Sequence, residues 1–286
     1  MNPYRKFVDA QVRLIEDGKA LPLGGLAALP SAVPAADAPV ALVFSPHPDD
    51  ECITGGLALR LLREAKLQVI NVAVTQGSNR ERQAARWQEL KNACDWIGFG
   101  LEATAPNGLE KVNPKTRQAD PSHWAGAVEV IAGKLAKFRP RVIFCPHEHD
   151  WNSTHIGTHF LVMDALKKQP ADFQCLLIES EFWGQMSSPN LMVELSADDV
   201  AGLLGALSFH VGEVQRNPYH LRLPGWLIDN VRRGAELVGG QGGAAPEYVF
   251  ATLYRASWWK HGRAEAAYAG GKQIGAGDSP ARALGI

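Results

Sequence analysis

The sequence has few cysteines, and their arrangement does not indicate a function. The four cysteines are widely spaced, none belongs to a C-x-x-C pair, and each lies in an apolar or helical stretch: Cys52, Cys94, Cys145 and Cys175. Neither a disulfide framework nor a thiolate zinc site is therefore expected, and we predict reduced, mostly buried thiols. This pattern is typical of a cytoplasmic protein.

Long apolar runs and an excess of one charge are also absent. No stretch approaches the roughly 18 apolar residues of a membrane helix, and the N-terminal M-N-P-Y-R-K lacks the apolar segment of a signal peptide. Lysine and arginine number 29 against 30 aspartates and glutamates, which gives a net charge of −1. We expect no membrane span and no nucleic acid partner, whereas a homo-oligomer is compatible with the composition.

The sequence does contain enough apolar residues for one large core, since 46% of its 286 residues are hydrophobic. We predict an N-terminal helix and connection (1–38), a single α/β domain (39–256) and a C-terminal tail (257–286). Residues 3–17 have the apolar spacing of an amphipathic helix packed on the main body. The Ala- and Pro-rich Leu21–Pro39 predicts an irregular surface connection, and the tail is expected to be poorly ordered from about Lys260.

The most informative stretch is residues 40–53, V-A-L-V-F-S-P-H-P-D-D-E-C-I. Its five leading apolar residues predict a strand that is buried on both faces. The two prolines resist helix formation, so we predict a helix from about Asp50 to Glu64. His47 and three carboxylates therefore crowd the carboxyl end of a central strand, where open α/β sheets form their sites.

Strands and helices alternate from Val40 onward. Further strands are predicted at 67–75, 101–104, 141–145, 174–179, 191–195 and 248–254. Further helices are predicted at 80–97, 121–137, 154–168 and 197–209. Alternation at this pitch indicates βαβ crossovers, and hence a Rossmann-like, doubly wound, mainly parallel sheet flanked by helices.

Histidines and carboxylates follow two of these strands. His47 and Asp50 follow the first, and a second imidazole group follows the fourth: His147, His149, His155 and His159. The first and fourth strands are neighbours in a doubly wound sheet, so both groups face one crevice. Two histidines, one aspartate and an open position make a catalytic zinc site, although spacing alone leaves His155, His159 and His149 as alternatives.

The string S-P-H-P-D-D-E after an apolar strand resembles the signature of the LmbE/PIG-L zinc N-deacetylases, enzymes that remove acetyl groups from N-acetylglucosamine-type amides. T-Q-G-S at 75–78 is similar to the T-x-G turn of that family, and R-W-Q-E at 86–89 to its R-x-x-E helix. The resemblance runs from about Val40 to Ile178 and implies an LmbE-like fold.

Carried over residue by residue, the resemblance implies that His47, Asp50 and His155 hold Zn²⁺ or another divalent ion, with Asp49 as the catalytic base. Such an ion lowers the pKa of its water from about 15.7 to about 7, and Asp49 would take the proton. The implied function is zinc-dependent removal of an acetyl group from the amide nitrogen of a small N-acylated substrate, such as an N-acetylglucosamine-type sugar or conjugate.

One motif departs from the family, which usually has H-P-D-H where this chain reads N-S-T-H at 152–155. Asn152 can donate a hydrogen bond to an oxyanion but cannot deliver a proton. The general acid is therefore open, and the candidates for it or for a supporting role are a protonated Asp49, His149, His159 and His210. Arg86 is a candidate for binding a sugar hydroxyl or phosphate, with an ordinary ion pair as the alternative.

Other functions remain to be weighed. A nucleotide-binding oxidoreductase is disfavoured, because the first strand leads into P-H-P-D-D-E and not into G-x-G-x-x-G. The altered motif allows a non-catalytic metal-binding pseudoenzyme, although such a protein has no need of Asp49. The same chemistry also suits an amidase that acts on a non-sugar conjugate. The aromatic pairs Phe182-Trp183 and Trp258-Trp259, together with Trp226, either stack on a substrate or fill the core.

Overall fold

The computed structural model describes residues 2–27 and 33–286, and within them the strands form one mixed sheet. The strands are β1 (Val40–Ser45), β2 (Gln68–Ala73), β3 (Gly100–Ala103), β4 (Val142–Pro146), β5 (Cys175–Ser180), β6 (Leu191–Leu195), β7 (Phe250–Lys260), β8 (Arg263–Ala266) and β9 (Lys272–Ile274). Their order in the sheet is β3-β2-β1-β4-β5-β7-β6-β9, with β8 paired to β7. Strands β1 to β5 pair in parallel, and β7 is antiparallel to both β5 and β6.

Helices cover both faces of this sheet. They are α1 (Arg5–Gly18), α2 (Asp50–Ile53), α3 (Gly56–Arg63), α4 (Arg80–Ile97), α5 (Pro114–Ala119), α6 (Pro121–Phe138), α7 (Ser153–Leu166), α8 (Ala197–Leu207), α9 (Val211–Arg216), a 3-10 turn (Tyr219–Leu221), α10 (Leu223–Leu237) and α11 (Pro280–Leu284). Among the described residues, no helix is both long and apolar enough to cross a membrane.

The first strand is buried on both faces, as its unbroken apolar run predicts. Ala41 and Val43 belong to one apolar core, while Leu42 and Phe44 belong to a second core on the opposite side of the sheet. All four side chains are at most 4% exposed. The prediction of a mainly parallel, helix-flanked α/β sheet is confirmed.

The helix predicted from Asp50 to Glu64 is wrong in one respect, because it is broken into α2 and α3 at Thr54 and Gly55. The buried hydroxyl of Tyr254 lies in the break: it donates to the Thr54 carbonyl (3.0 Å) and accepts from the Leu57 N–H (3.1 Å). A single distant side chain thus satisfies backbone groups that the break frees, which local sequence does not reveal.

The predicted N-terminal helix forms as α1, but the expected packing of its apolar face is wrong. No residue of α1 is buried, and Phe7, Val12 and Leu14 are each more than half exposed. Its C-terminal end lies close to the body, where a Cβ on Gly18 would sit 2.7 Å from Leu221 Cδ2. Between α1, α8 and α10 lies an apolar cavity of about 1040 Å³, which Val8, Val12 and Ile15 line on the side of α1. Within the predicted connection Leu21–Pro39, residues 28–32 lie outside the described part of the chain.

The poorly ordered tail expected beyond Lys260 is also a wrong prediction. In this region β8 pairs with β7, β9 pairs with β6, and α11 follows. Ile274 is 0% and Leu284 is 3% exposed, so two apolar side chains anchor the segment. The prediction failed because strands of only three and four residues within an Ala- and Gly-rich segment give no recognisable sequence pattern.

Candidate metal centre

The residues of the predicted metal site come from two neighbouring strands. His47 lies in the turn after β1, Asp50 begins α2 directly behind it, and His155 lies in the first turn of α7 after β4. Because β1 and β4 are adjacent and parallel, their carboxyl ends meet at one edge of the sheet. The topology therefore brings the three side chains together.

Three ligand atoms of these residues form a nearly equilateral triangle. His47 Nδ1 is 3.2 Å from His155 Nε2 and 3.5 Å from Asp50 Oδ2, and the latter two atoms are 3.3 Å apart. A tetrahedral zinc ion with bonds of about 2.0–2.1 Å separates its ligand atoms by about 3.3 Å. The donor set and its spacing therefore fit one tetrahedral ion with a fourth position left open.

The ligands are held by contacts that spacing did not reveal. The backbone N–H of His47 donates to Asp50 Oδ2 over 2.8 Å. The other ring nitrogen of His155, Nδ1, is buried without a hydrogen-bond partner and lies 3.6 Å from Asp150 Oδ1. Asp150 accepts from three backbone N–H groups, those of Asn152, Trp183 and Gly184. A carboxylate behind a ligating imidazole is usual at zinc sites, and here that carboxylate is Asp150.

Asp50 and His155 each shift the pKa of the other. Burial alone would raise the pKa of Asp50, but the His155 and His47 imidazoles beside it outweigh burial and lower this pKa. Burial alone would lower the pKa of His155, and the charge of Asp50 raises it instead. The site stabilises a deprotonated carboxylate, which is the form that a cation requires.

The Asp49 side chain points away from the group that Asp50 joins. Its backbone has φ of 114°, a left-handed value that is rare for a non-glycine residue, and its carboxylate is absent from the ligand triangle. Asp49 Oδ2 accepts a hydrogen bond from Tyr219 Oη (2.7 Å) and lies 3.9 Å from Arg86 Nη2. Burial, followed by the charge of Asp50, raises the pKa of Asp49 to about 7.

Arg86 is committed to protein contacts. Its Nη2 donates to the Pro48 carbonyl over 2.9 Å, and its Nε lies 3.6 Å from Glu213 Oε1. Glu213 also pairs with Arg82 and Arg216. The guanidinium therefore supports the 47–49 turn, while its Nε is buried without a hydrogen-bond partner. A role of Arg86 in substrate binding stays a prediction.

Asn152 lies at the N-terminus of the helix that carries His155. Its Oδ1 accepts from the Thr154 N–H (2.8 Å) as the cap of α7. Thr154 lines a polar cavity of about 370 Å³ together with His47. The loops after β2 and β3 and the first turn of α4 add polar side chains to its lining, those of Thr75, Ser78, Arg80, Gln83, Glu110, Lys111 and Asn113, beside the apolar Leu109 and Val112.

The other three histidines of interest lie apart from the triangle. The His149 side chain is 75% exposed beside Glu148. His159 Nδ1 lies 3.3 Å from Glu179 and 3.1 Å from the Pro146 carbonyl. His210 is 0% exposed, with Nε2 2.7 Å from Glu51 Oε1.

Within residues 2–27 and 33–286, two further groups have the spacing of metal ligands: Glu148, His159 and Glu179 form one, and Glu51, Cys52 and His210 form the other. In the first, Arg255 already pairs with both carboxylates, which removes the need for a cation. In the second, all three residues are fully buried and the imidazole pairs with the carboxylate. The His47–Asp50–His155 triangle is thus the best-suited of the three.

The aromatic residues divide between core and surface. Trp259 is 2% exposed, and Phe182 packs edge-on against His155 with ring centroids 4.7 Å apart. Trp183 is 41% exposed and packs against Tyr219 at 5.7 Å. Neither Asp150 nor Tyr219 was predicted from the sequence: Tyr219 reaches the site only through the fold, whereas Asp150 precedes His155 in the same loop and its proximity was a signal that the sequence offered.

Comparisons with known proteins show what the chain is similar to. Residues 42–166 match the family model described as PIG-L: GlcNAc-PI de-N-acetylase. No curated protein matches the sequence significantly. Among solved structures, the N,N'-diacetylchitobiose deacetylase of Pyrococcus horikoshii is 16% identical with a TM-score of 0.55, covering 92% of this chain and 96% of that chain.

Two further structures show how widely this fold is used. The deacetylase Dbv21, which acts on the A40926 pseudoaglycone, is 14% identical with a TM-score of 0.56, covering 78% of this chain and 98% of its own. GalB of Pseudomonas putida KT2440, a 4-carboxy-2-hydroxymuconate hydratase, is 16% identical with a TM-score of 0.57, and the match covers 76% of this chain and 95% of GalB. At these identities the likeness establishes the fold and not the reaction.

The matched segment contains the turn of His47 and Asp50 as well as the helix of His155, and the resemblance predicted from S-P-H-P-D-D-E is confirmed. Residues 42–166 of the chain therefore resemble the PIG-L/LmbE family.

Proposed function

We propose that this protein is a zinc-dependent N-deacetylase that hydrolyses the acetyl amide of a small aminosugar or aminosugar conjugate. The single observation that carries the proposal is the ligand triangle of His47, Asp50 and His155 beside a carboxylate, Asp49, that takes no part in it. A metal-storage or purely structural site has no use for that additional buried acid.

Each residue has a separate task in this proposal. When bound, zinc supplies an activated water and polarises the amide oxygen. Asp49 accepts a proton during attack, since its raised pKa and its hydrogen bond to Tyr219 hold it as a poised acid–base group. The positive charge of an ion would lower that pKa and favour the ionised base.

Asn152 is the proposed donor to the developing oxyanion. Its Oδ1 caps α7, which leaves the Nδ2 group as the donor. The proton for the leaving amine is assigned to Asp49 after it has been protonated. His210 is buried and pairs with Glu51, whereas the His149 side chain is exposed to solvent. Neither arrangement supports a role as general acid.

The polar cavity beside His47 supports the proposed substrate class. A volume of about 370 Å³ suits a small ligand, and hydroxyl, amide and charged side chains line it. This lining supports a hydroxylated substrate such as an N-acetylglucosamine-type sugar over a purely apolar amide. The family description and the chitobiose deacetylase are consistent with that choice.

The test combines metal analysis with an amine-release screen. Purified protein loaded with zinc would be incubated with N-acetylated aminosugars, with N-acetylated non-sugar amines and with an unsaturated hydroxy acid as a probe of hydratase chemistry. We expect one zinc per chain and free amine from the sugars, with both lost in His155→Ala. Stoichiometric zinc without release of any amine would overturn the proposal in favour of a pseudoenzyme, or of a hydratase if water adds to the unsaturated probe.

A further inference from the structure

The backbone of Asp49 occupies a conformation that needs outside support. Its φ of 114° lies in a sparsely populated region for a residue with a side chain. Such conformations persist only where neighbouring contacts enforce them. Two hydrogen bonds support it, one to the Asp49 N–H and one to its carboxylate, and both depend on residues between positions 210 and 219.

The first contact holds the main chain. Glu51 turns back so that its Oε2 accepts the Asp49 N–H over 3.0 Å. The other oxygen of Glu51 lies 2.7 Å from His210 Nε2, and both side chains are 0% exposed. Because water is excluded, this pairing fixes the Glu51 carboxylate, and Glu51 in turn fixes the Asp49 peptide.

The second contact holds the side chain. Tyr219 Oη donates to Asp49 Oδ2 over 2.7 Å, and the Tyr219 ring packs edge-on against Trp183. Tyr219 lies in the 3-10 turn after α9, whereas His210 caps the start of α9. One short segment thus reaches both the peptide and the carboxylate of Asp49.

We propose that His210, acting through Glu51, and Tyr219 form a clamp that positions Asp49 for proton transfer. This inference rests on the proposed role of Asp49 as the base. The three clamp residues are positioning residues: none belongs to the ligand triangle, and two of them lie outside the 42–166 segment that the family model matches. The C-terminal half of the chain therefore belongs to the catalytic apparatus.

The first experiment removes one hydroxyl. Tyr219→Phe in zinc-loaded protein should lower kcat by about 10- to 100-fold with KM within about twofold, because a charge-assisted hydrogen bond that orients the base is lost. Zinc content and the urea midpoint should be unchanged. The matched control is Tyr268→Phe, whose buried hydroxyl has no hydrogen-bond partner, and its kcat should not change. An unaltered kcat in Tyr219→Phe, or a fall accompanied by loss of zinc, overturns the proposal.

The second experiment needs no catalytic activity. Deuterium exchange at the Asp49 amide should be faster in His210→Ala than in wild-type protein, and His210→Gln, which keeps a donor for Glu51, should restore slow exchange. His220→Gln, on the neighbouring 3-10 turn and facing the apolar cavity, is the matched control and should not alter exchange. Equal exchange in His210→Ala and wild type overturns the clamp. Slow exchange that depends on His210 in a protein without deacetylase activity would support the clamp while rejecting the proposed function.

Discussion

At the scale of single residues, the notable feature is the divergence of two consecutive aspartates. Asp50 has its pKa lowered by two imidazoles, whereas burial raises the pKa of Asp49 to about 7. The left-handed φ of Asp49 turns its carboxylate away from the ligand atoms and toward Tyr219. Environments that separate the pKa values of neighbouring acids commonly separate their roles, here the proposed roles of metal ligand for Asp50 and base for Asp49.

The role of Asp49 as base can be tested by an isosteric change. Asp49→Asn should keep one zinc per chain, because the ligand triangle is untouched, and should lower kcat by roughly 10²- to 10⁴-fold. Zinc content and steady-state kinetics would be measured on the same preparation. The surface variant Asp95→Asn, on the exposed side of α4, serves as the control. Turnover at the wild-type level in Asp49→Asn would remove Asp49 from the mechanism.

The sequence predicted which types of residue form the candidate metal site, but not the residues that hold them in place. His47, Asp50 and Asp49 follow from one short string, and a downstream imidazole was expected opposite them. Spacing alone did not decide between His149, which precedes α7, and His155 and His159, which lie on it. Tyr219 was missed, since a hydrogen bond over 170 positions leaves no local pattern. Asp150 lies close to His155 in sequence, but the sequence offers both Glu148 and Asp150 there and does not show which carboxylate lies behind the imidazole.

At the scale of elements, the position of α7 determines where His155 lies. α7 comes very close to the 112–113 connection at Gly157, where a Cβ would lie 2.6 Å from backbone atoms of Asn113 and Val112. Only glycine permits this approach. The helix is also capped by Asn152, so its register relative to the site is fixed at two points.

Gly157→Ala should therefore displace α7. We expect a loss of about 1–3 kcal/mol in the free energy of unfolding from overpacking, together with weaker zinc binding as His155 moves. Gly133→Ala on α6 is the matched control, because nothing lies within 4 Å of its added Cβ, and it should stabilise by about 0.5–1 kcal/mol. Urea unfolding and zinc titration measure both effects. Unchanged zinc affinity in Gly157→Ala would contradict the proposed role of this contact.

A charge network joins β5 to β7 behind the site. Arg255 and Glu179 are register partners in the antiparallel pair, and Arg255 donates twice to Glu179 with distances of 2.6 Å. Arg255 also pairs with Glu148. Burial alone would raise the pKa of Glu148, but hydrogen bonding to Arg255 lowers it from 4.5 to about 2.

This network gives a pH dependence with a defined sign. Because the folded-state pKa of Glu148 is depressed, its contribution to stability is present above about pH 4.5 and is lost as the pH falls toward about 2. The wild-type free energy of unfolding should therefore fall more steeply across this window than that of Glu148→Gln. Urea unfolding at stepped pH tests this, with Glu129→Gln, whose side chain is 64% exposed, as the control. If the free energy of unfolding changed with pH in the same way in wild type and Glu148→Gln, the predicted contribution of Glu148 would be contradicted.

At the scale of the whole molecule, the alternation of strands and helices predicted the parallel half of the sheet well. Long apolar strands and capped helices carry strong local signals, as for α4, which begins and ends where it was predicted. The antiparallel extension was harder to predict, because β8 and β9 are short and are stabilised by pairing with distant strands. For α1 the helix was predicted correctly but the burial of its apolar face was not, since helical spacing does not show which element will cover that face.

The central claim is that one cation is held by two side chains from the β1 turn and one from α7, with Asp49 beside it but unbound. The most direct measurement is a crystal structure of zinc-loaded protein with an anomalous-difference map recorded at the zinc edge. The account predicts one strong peak about 2.0–2.2 Å from His47 Nδ1, Asp50 Oδ2 and His155 Nε2. A map with no peak there, or with its only peak at the Glu148–His159–Glu179 group, would contradict it.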